Sequence, residues 1–362
     1  MATLTKTGSE SLTKTERNVG FDVLKTLATL GVVILHSASI EWKEISYATY
    51  EWNILNIYDS AVRWVVPVFV MISGAIFLNA DFTIERIYKK YISRIVTAFI
   101  FWSALYACYE YFDEYEHSLK VTVLSFFKGH FHLWYLYMIV GLYMIVPLVK
   151  KIIADEKLIR YFLVISFIFS FLIPELVYVM TNIPLTAMVG KYAKIMIRNM
   201  YLDFVGGYTF YFIIGYYFTK IKLNAKQYVM MGAFCFFGIL STAVLTYKFS
   251  HILEKNCSEF YSFTSVNVLF QALFVFSLYQ LINKIPFSPG AKSVILKLSK
   301  YSFGVYLVHD FFILISDKFF HFNSITINPI LGVPAVAAIT FVGAYIVSAI
   351  LNHIPILKKY IV

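Results

Sequence analysis

Ten mostly apolar stretches follow one another along this chain, at 19–40, 57–79, 92–112, 131–149, 158–180, 204–219, 227–247, 260–282, 294–316 and 329–352. A helix rises ~1.5 Å per residue, so ~20 apolar residues cross the ~30 Å hydrocarbon core of a bilayer. Each block reaches or approaches that length, with 204–219 the shortest. Lipid offers no partner to a backbone N–H or C=O, which restricts spanning segments to helices or a closed barrel. The runs are continuous rather than alternating, and that selects helices. The expected fold class is therefore all-α, a polytopic membrane bundle of about ten transmembrane helices. Composition agrees: of 362 residues, 59% are apolar and 14% charged, whereas soluble domains carry about 25% charged residues. A water-soluble domain, a disordered chain and a collagen-like one are all excluded. Residues 1–16 read as a polar Thr/Ser/Lys-rich tail and residues 17–362 as one transmembrane domain, with no room for a sizeable soluble partner domain.

The formal charge of +10 raises the question of nucleic acid, whose readers gather basic residues on one exposed face. Here the basic residues sit in short runs between apolar blocks, the pattern that sets membrane orientation. With the N-terminus inside and ten spans, 20 Lys/Arg fall on the cytoplasmic side and nine on the other. Both termini are thus expected in the cytoplasm, with acid-rich outer loops such as Asp113-Glu114-Tyr115-Glu116. Nucleic acid is not an expected partner; membrane lipid is. The first block is preceded by a long polar segment and contains Asp22 and Lys25, which argues against a cleaved signal peptide. Cys108 and Cys235 lie in apolar runs and Cys257 stands alone in a loop, so neither a disulfide framework nor a zinc spacing emerges. No metal is expected.

Charged groups at membrane depth cost ~2.5–3.5 kcal/mol each on insertion scales, so each requires an account. In the first block Asp22 and Lys25 lie about 60° apart around a helix axis, and Lys25 and His36 return to within ~20° of each other, ~16 Å apart along it. The ordinary reading is an interfacial Asp22–Lys25 pair with the lysine reaching to the headgroups, and a carbonyl-satisfied His36. Three polar groups on one stripe argue for more. Helical rise puts His36 ~6 Å, Arg63 ~9 Å and the His309–Asp310 pair no more than ~10 Å below the outer surface. His132 and Trp134 open the fourth block at similar depth. Depth alone does not make these groups face one another. Arg63 has an ordinary partner in Asp59 one turn earlier, Ser73-Gly74 suits close helix packing, and the tyrosines suit an interfacial belt. Pro67, Pro147 and Pro174 are expected to kink their helices.

These residues resemble a known family. Lys25, ten residues, then His36 is similar to the Arg/Lys-x10-His motif of the acyltransferase family 3 membrane O-acyltransferases, and Asp22-x-x-Lys25 to the element before it. Val66-Pro67-Val68-Phe69-Val70-Met71-Ile72-Ser73-Gly74 resembles their second-span signature. So do His132-Leu133-Trp134-Tyr135-Leu136 leading to Pro147, and Tyr301-Ser302-Phe303-Gly304-Val305-Tyr306-Leu307-Val308-His309. The blocks keep the family's order over roughly 15–355. The likeness is to the short form that lacks a fused extracytoplasmic hydrolase-like domain, the branch of the enterobacterial common antigen O-acetyltransferase. Lys25 departs from the commoner arginine, exchanging a bidentate phosphate contact for a point charge.

The resemblance implies acyl transfer, usually from acetyl-CoA, to a hydroxyl of a cell-surface or lipid-linked glycan across a bacterial plasma membrane. On that reading His36 is the general base, an imidazole being suited to take a proton near neutrality, with an acyl-histidine as the alternative. Arg63 would stabilise the tetrahedral oxyanion and Asp22 would orient Lys25. Lys25 would hold donor phosphate, with Ser73, Lys89 and Lys90 assigned to the donor as well. Trp134 and Tyr306 would face the sugar, and His309 would add a polar contact. A polysaccharide exporter or secondary transporter is the competing class, because intramembrane charges also mark transport pathways. The hydropathy shows no inverted repeat to support it.

Overall fold

The computed structural model describes residues 17–113, 118–200, 202 and 206–362. The polar tail 1–16 and most of the expected acidic outer loop, residues 114–117, lie outside the described residues. All regular structure among the described residues is helical. The chain runs through α1 (Val19–Glu44), α2 (Tyr50–Val62), α3 (Val65–Asn79) and the single turn α4 (Ile84–Arg86). A π-helical stretch, Ile87–Ile92, leads into α5 (Ser93–Asp113), which α6 (Leu119–Lys128) follows. After a 3₁₀ turn at Phe131–Leu133 come α7 (Trp134–Ile152), α8 (Glu156–Phe167), a second π-helical stretch Ile168–Leu172, and α9 (Ile173–Thr181). Then α10 (Ala187–Arg198), α11 (Tyr208–Phe218), α12 (Ala225–Ile252), α13 (Val266–Ser277) and the short α14 (Tyr279–Ile282). The chain ends with α15 (Pro289–Phe320), α16 (Pro329–His353) and α17 (Pro355–Tyr360).

Eight helical segments among the described residues are long and apolar enough to cross a membrane, so the chain is a multi-pass helical bundle. They match eight of the ten expected blocks. The other two blocks are helices of a different kind. The block 204–219 forms α11, whose 11 residues rise only ~16 Å. The block 294–316 lies in α15, long enough at 32 residues but interrupted by buried His309 and Asp310. The second span begins earlier than expected, at Tyr50, and divides after Val62. Pro67 explains the division: it has no N–H for the carbonyl four residues back and its ring crowds that carbonyl, which belongs to Arg63. Pro174 likewise follows directly on a π-helical stretch.

The first helix is the centre of the bundle, packing on α2, α3, α15 and α16. Its N-terminus is capped by Asn18, whose side chain accepts from the Phe21 N–H at 3.1 Å. The closest helix pair is α3 with α11. A Cβ on Gly74 would lie 1.8 Å from the Phe212 carbonyl oxygen, and one on Gly215 2.1 Å from that of Met71. Small residues on both helices let the backbones touch. Around them Phe21, Leu24, Val68, Met71, Phe212 and Phe276 belong to one buried cluster.

Candidate active site

A cavity of about 820 Å³ follows one stripe of α1, lined by Lys25, Val32, Leu35, His36, Ser39, Trp42 and Lys43. The spacings of this set keep it on one helical face, and from Lys25 to Lys43 it covers ~27 Å of helix. That is close to the hydrocarbon thickness of a bilayer. At the Lys25 end the lining also includes Ser299, bonded to Asp22, and the adjacent Lys300, and Tyr91 and Arg94 line the cavity as well. Further along it includes Arg63, Ser73, Trp134 and Tyr306, with Ser258 and Tyr261 contributed by the segment after α12. Basic side chains thus line one end, and an imidazole stands eleven residues further along the wall.

His36 has a buried Nδ1 without a hydrogen-bond partner, while its ring lines the cavity. Its ring centroid lies 5.1 Å from that of His309 and 6.4 Å from that of His132. His309 is fully buried. Its Nδ1 stands 2.7 Å from the Tyr306 carbonyl, so that nitrogen carries the proton and Nε2 holds the lone pair. His309 therefore supports the wall at His36 from behind.

Arg63 lines the cavity and is paired with Asp59 within α2 and its C-cap. Its guanidinium also lies over the Tyr261 ring at 4.1 Å. The pair that i,i+4 spacing suggests is formed, and Arg63 contacts the cavity at the same time. A guanidinium already matched to a buried carboxylate offers an incoming oxyanion hydrogen bonds more than net charge. The Pro67 break is what places Arg63 at a helix end.

Asp22 does not join Lys25. Its carboxylate accepts from Arg17 Nε and Nη2 at 2.7 and 2.9 Å and from Ser299 Oγ at 2.5 Å. The same pairing raises the pKa of Arg17. Among the described residues no hydrogen bond or ion pair of Lys25 is seen, and Lys25 faces the cavity. Lys89 is exposed and bonded to Glu85 at 2.7 Å, and Lys90 lies over the Tyr91 ring at 5.7 Å; neither lines the cavity. Besides Lys25, and Lys43 and Arg63 further along, the basic residues that line it are Arg94 and Lys300, which spacing alone marks only as charges beside an apolar block. Arg94 follows the π-helical stretch, whose extra residue per turn shifts the face it presents.

Trp134 and Tyr306 both line the cavity. Trp134 stacks on Phe263 at 5.8 Å and leans on Tyr208 at 5.6 Å. Tyr306 spends its hydroxyl on the His132 carbonyl at 2.5 Å, leaving its ring as the surface it offers. Ser73 lines the cavity beside the phenols of Tyr135 and Tyr143.

Residues 18–349, nearly the whole chain, match the family model described as an acyltransferase domain. No curated protein and no solved structure matches the chain.

Proposed function

Since the chain belongs to this acyltransferase family, we propose that it moves an acetyl group from cytoplasmic acetyl-CoA to a glycan hydroxyl on the outer side of a bacterial plasma membrane. The observation that carries this reading is the cavity along α1, lined by Lys25, Arg94 and Lys300 and by His36 eleven residues beyond Lys25. Three cations suit the phosphates of a CoA donor. His36 lies ~16 Å further on, about the reach of an extended pantetheine arm. There the imidazole takes the proton of the acceptor hydroxyl, the alkoxide oxygen attacks the thioester carbonyl, and Arg63 donates to the oxyanion. Collapse releases the CoA thiolate, which recovers the proton from the imidazolium. Trp134 and Tyr306 offer aromatic faces against which a sugar ring packs.

The test is acetyl content of the surface glycan, by mass analysis, in cells carrying the native chain or His36→Ala at equal membrane level. Loss of acetylation is expected, by ~10²-fold or more for removal of a general base. Unchanged acetylation removes His36 from the reaction. Purified protein that neither binds nor consumes acetyl-CoA, in a membrane that still exports glycan, would favour the transporter class.

A further inference from the structure

His130, His132 and Asp310 bring one ligand atom each to a common point, all within 4.8 Å of one another. His130 Nδ1 stands 3.1 Å from His132 Nδ1 and 3.2 Å from Asp310 Oδ2. An imidazole nitrogen carries at most one hydrogen, and His130 Nδ1 can direct it at only one of these two acceptor sites. Protein protons therefore leave one of the close contacts poorly matched. Asp310 is fully buried, and neither of its oxygens accepts a hydrogen bond of good geometry. A buried carboxylate without donors is expensive unless a cation stands beside it. Both difficulties vanish if a metal ion sits among the three atoms. Tetrahedral zinc with ligands at ~2.0–2.1 Å holds its ligand atoms about 3.3 Å apart; both contacts of His130 match that spacing, while His132 and Asp310 stand wider apart, within 4.8 Å, and would draw in on the ion.

We infer that His130, His132 and Asp310 bind a zinc ion behind the cavity wall. Two imidazoles and a carboxylate are a ligand set that zinc accepts. Glu110 Oε1 lies 3.8 Å from His130 Nε2, on the side from which a carboxylate holds the proton on Nε2 and leaves Nδ1 free for metal. The Tyr106 ring stacks on His130 at 4.4 Å and on Phe311 at 4.0 Å, which fixes the imidazole plane. Gly129 makes the turn into the cluster at φ 72° and ψ 153°, a conformation open essentially to glycine alone. The ion ties the turn before α7 to α15, and through His132 it holds part of the cavity wall next to His36. Of the three ligands only His132 reaches the cavity, so the ion positions this wall and does not touch the acyl group.

The test needs no acyl transfer. Untagged protein in detergent is stripped with a chelator and titrated with Co²⁺. One equivalent should bind, with visible ligand-field absorption that Zn²⁺ abolishes, and elemental analysis after zinc loading and desalting should return one ion per chain. Asp310→Asn and His130→Gln should each weaken binding at least about tenfold, while His353→Gln, at an exposed histidine outside the cluster, should not. Substoichiometric metal without an absorption band in the refilled native chain overturns the assignment. So does undiminished binding in the Asp310→Asn/His130→Gln double variant. If the variants do not fold, titration of the native chain decides.

Discussion

Lys25 is the side chain whose neighbours the local sequence misstates. It stands three positions after Asp22, the spacing of a helical ion pair, yet Asp22 is taken by Arg17 and by Ser299, 277 positions away. A long-range partner of this kind leaves no trace in spacing, whereas the Arg63–Asp59 pair, being local, was legible. The consequence is a lysine left to the cavity. Lys25→Ala should raise the KM for acetyl-CoA about tenfold, the loss of one charge-assisted contact of ~1.5 kcal/mol, with kcat nearly unchanged. Steady-state kinetics on reconstituted protein read this directly, and an unaltered KM takes Lys25 off the donor path. At Arg63 the expectation is structural as well as catalytic. Arg63→Ala alone leaves the fully buried Asp59 without its cation, a loss of about 3–5 kcal/mol. Arg63→Met together with Asp59→Leu should recover most of that stability. Thermal unfolding in detergent distinguishes the two, and a single variant as stable as the native chain would mean that the pair contributes little.

Helices were the most legible level, because block length and continuity are set by the bilayer rather than by packing. What the blocks could not show is where a helix changes its turn. Pro67 divides α2 from α3 and leaves Arg63 at the break; the π-helical stretch at Ile87–Ile92 resets the face of α5 and brings Arg94 to the cavity. A 3.6-residue period carried across either point assigns the wrong face. Ser73-Gly74 read from sequence as a packing spot, and at Gly74 the packing is nearly backbone on backbone. Gly74→Ala forces a carbon to within 1.8 Å of the Phe212 oxygen, so α3 and α11 must part. Overpacking of this kind costs ~1–3 kcal/mol or more, and the unfolding midpoint should fall accordingly. Gly141, whose Cβ would meet nothing within 4 Å, supplies the control: Gly141→Ala should leave the midpoint where it is or raise it. Equal midpoints for both variants would show that the α3–α11 contact yields freely.

The proposed transfer of an acyl group across a bilayer would need one unbroken passage, and the cavity suits that need because it runs along one stripe of α1, the helix at the centre of the bundle. The fold class was readable from composition and the shared stripe of Lys25 and His36 from helical period. That the stripe fronts open volume rather than a neighbouring helix was not, since it depends on how α2, α3, α7 and α15 close around it. Val32 lies on that wall, seven residues beyond Lys25 and four before His36, which is ~10 Å and ~6 Å along the axis. Val32→Trp should fill the passage between donor phosphate and imidazole. Leu27 is on the same helix but 47% exposed on the outside of the bundle, so Leu27→Trp adds the same ring where lipid accommodates it. If acyl groups travel by this route, Val32→Trp loses transfer while Leu27→Trp keeps it, both chains remaining monodisperse in detergent. Acetyl-CoA should still bind the plugged variant at its Lys25 end, which separates a blocked passage from a lost donor site. Glycan acetylation that persists with the ring at position 32 would mean that donor and acceptor meet elsewhere in the bundle, and the role given to His36 would fall with it.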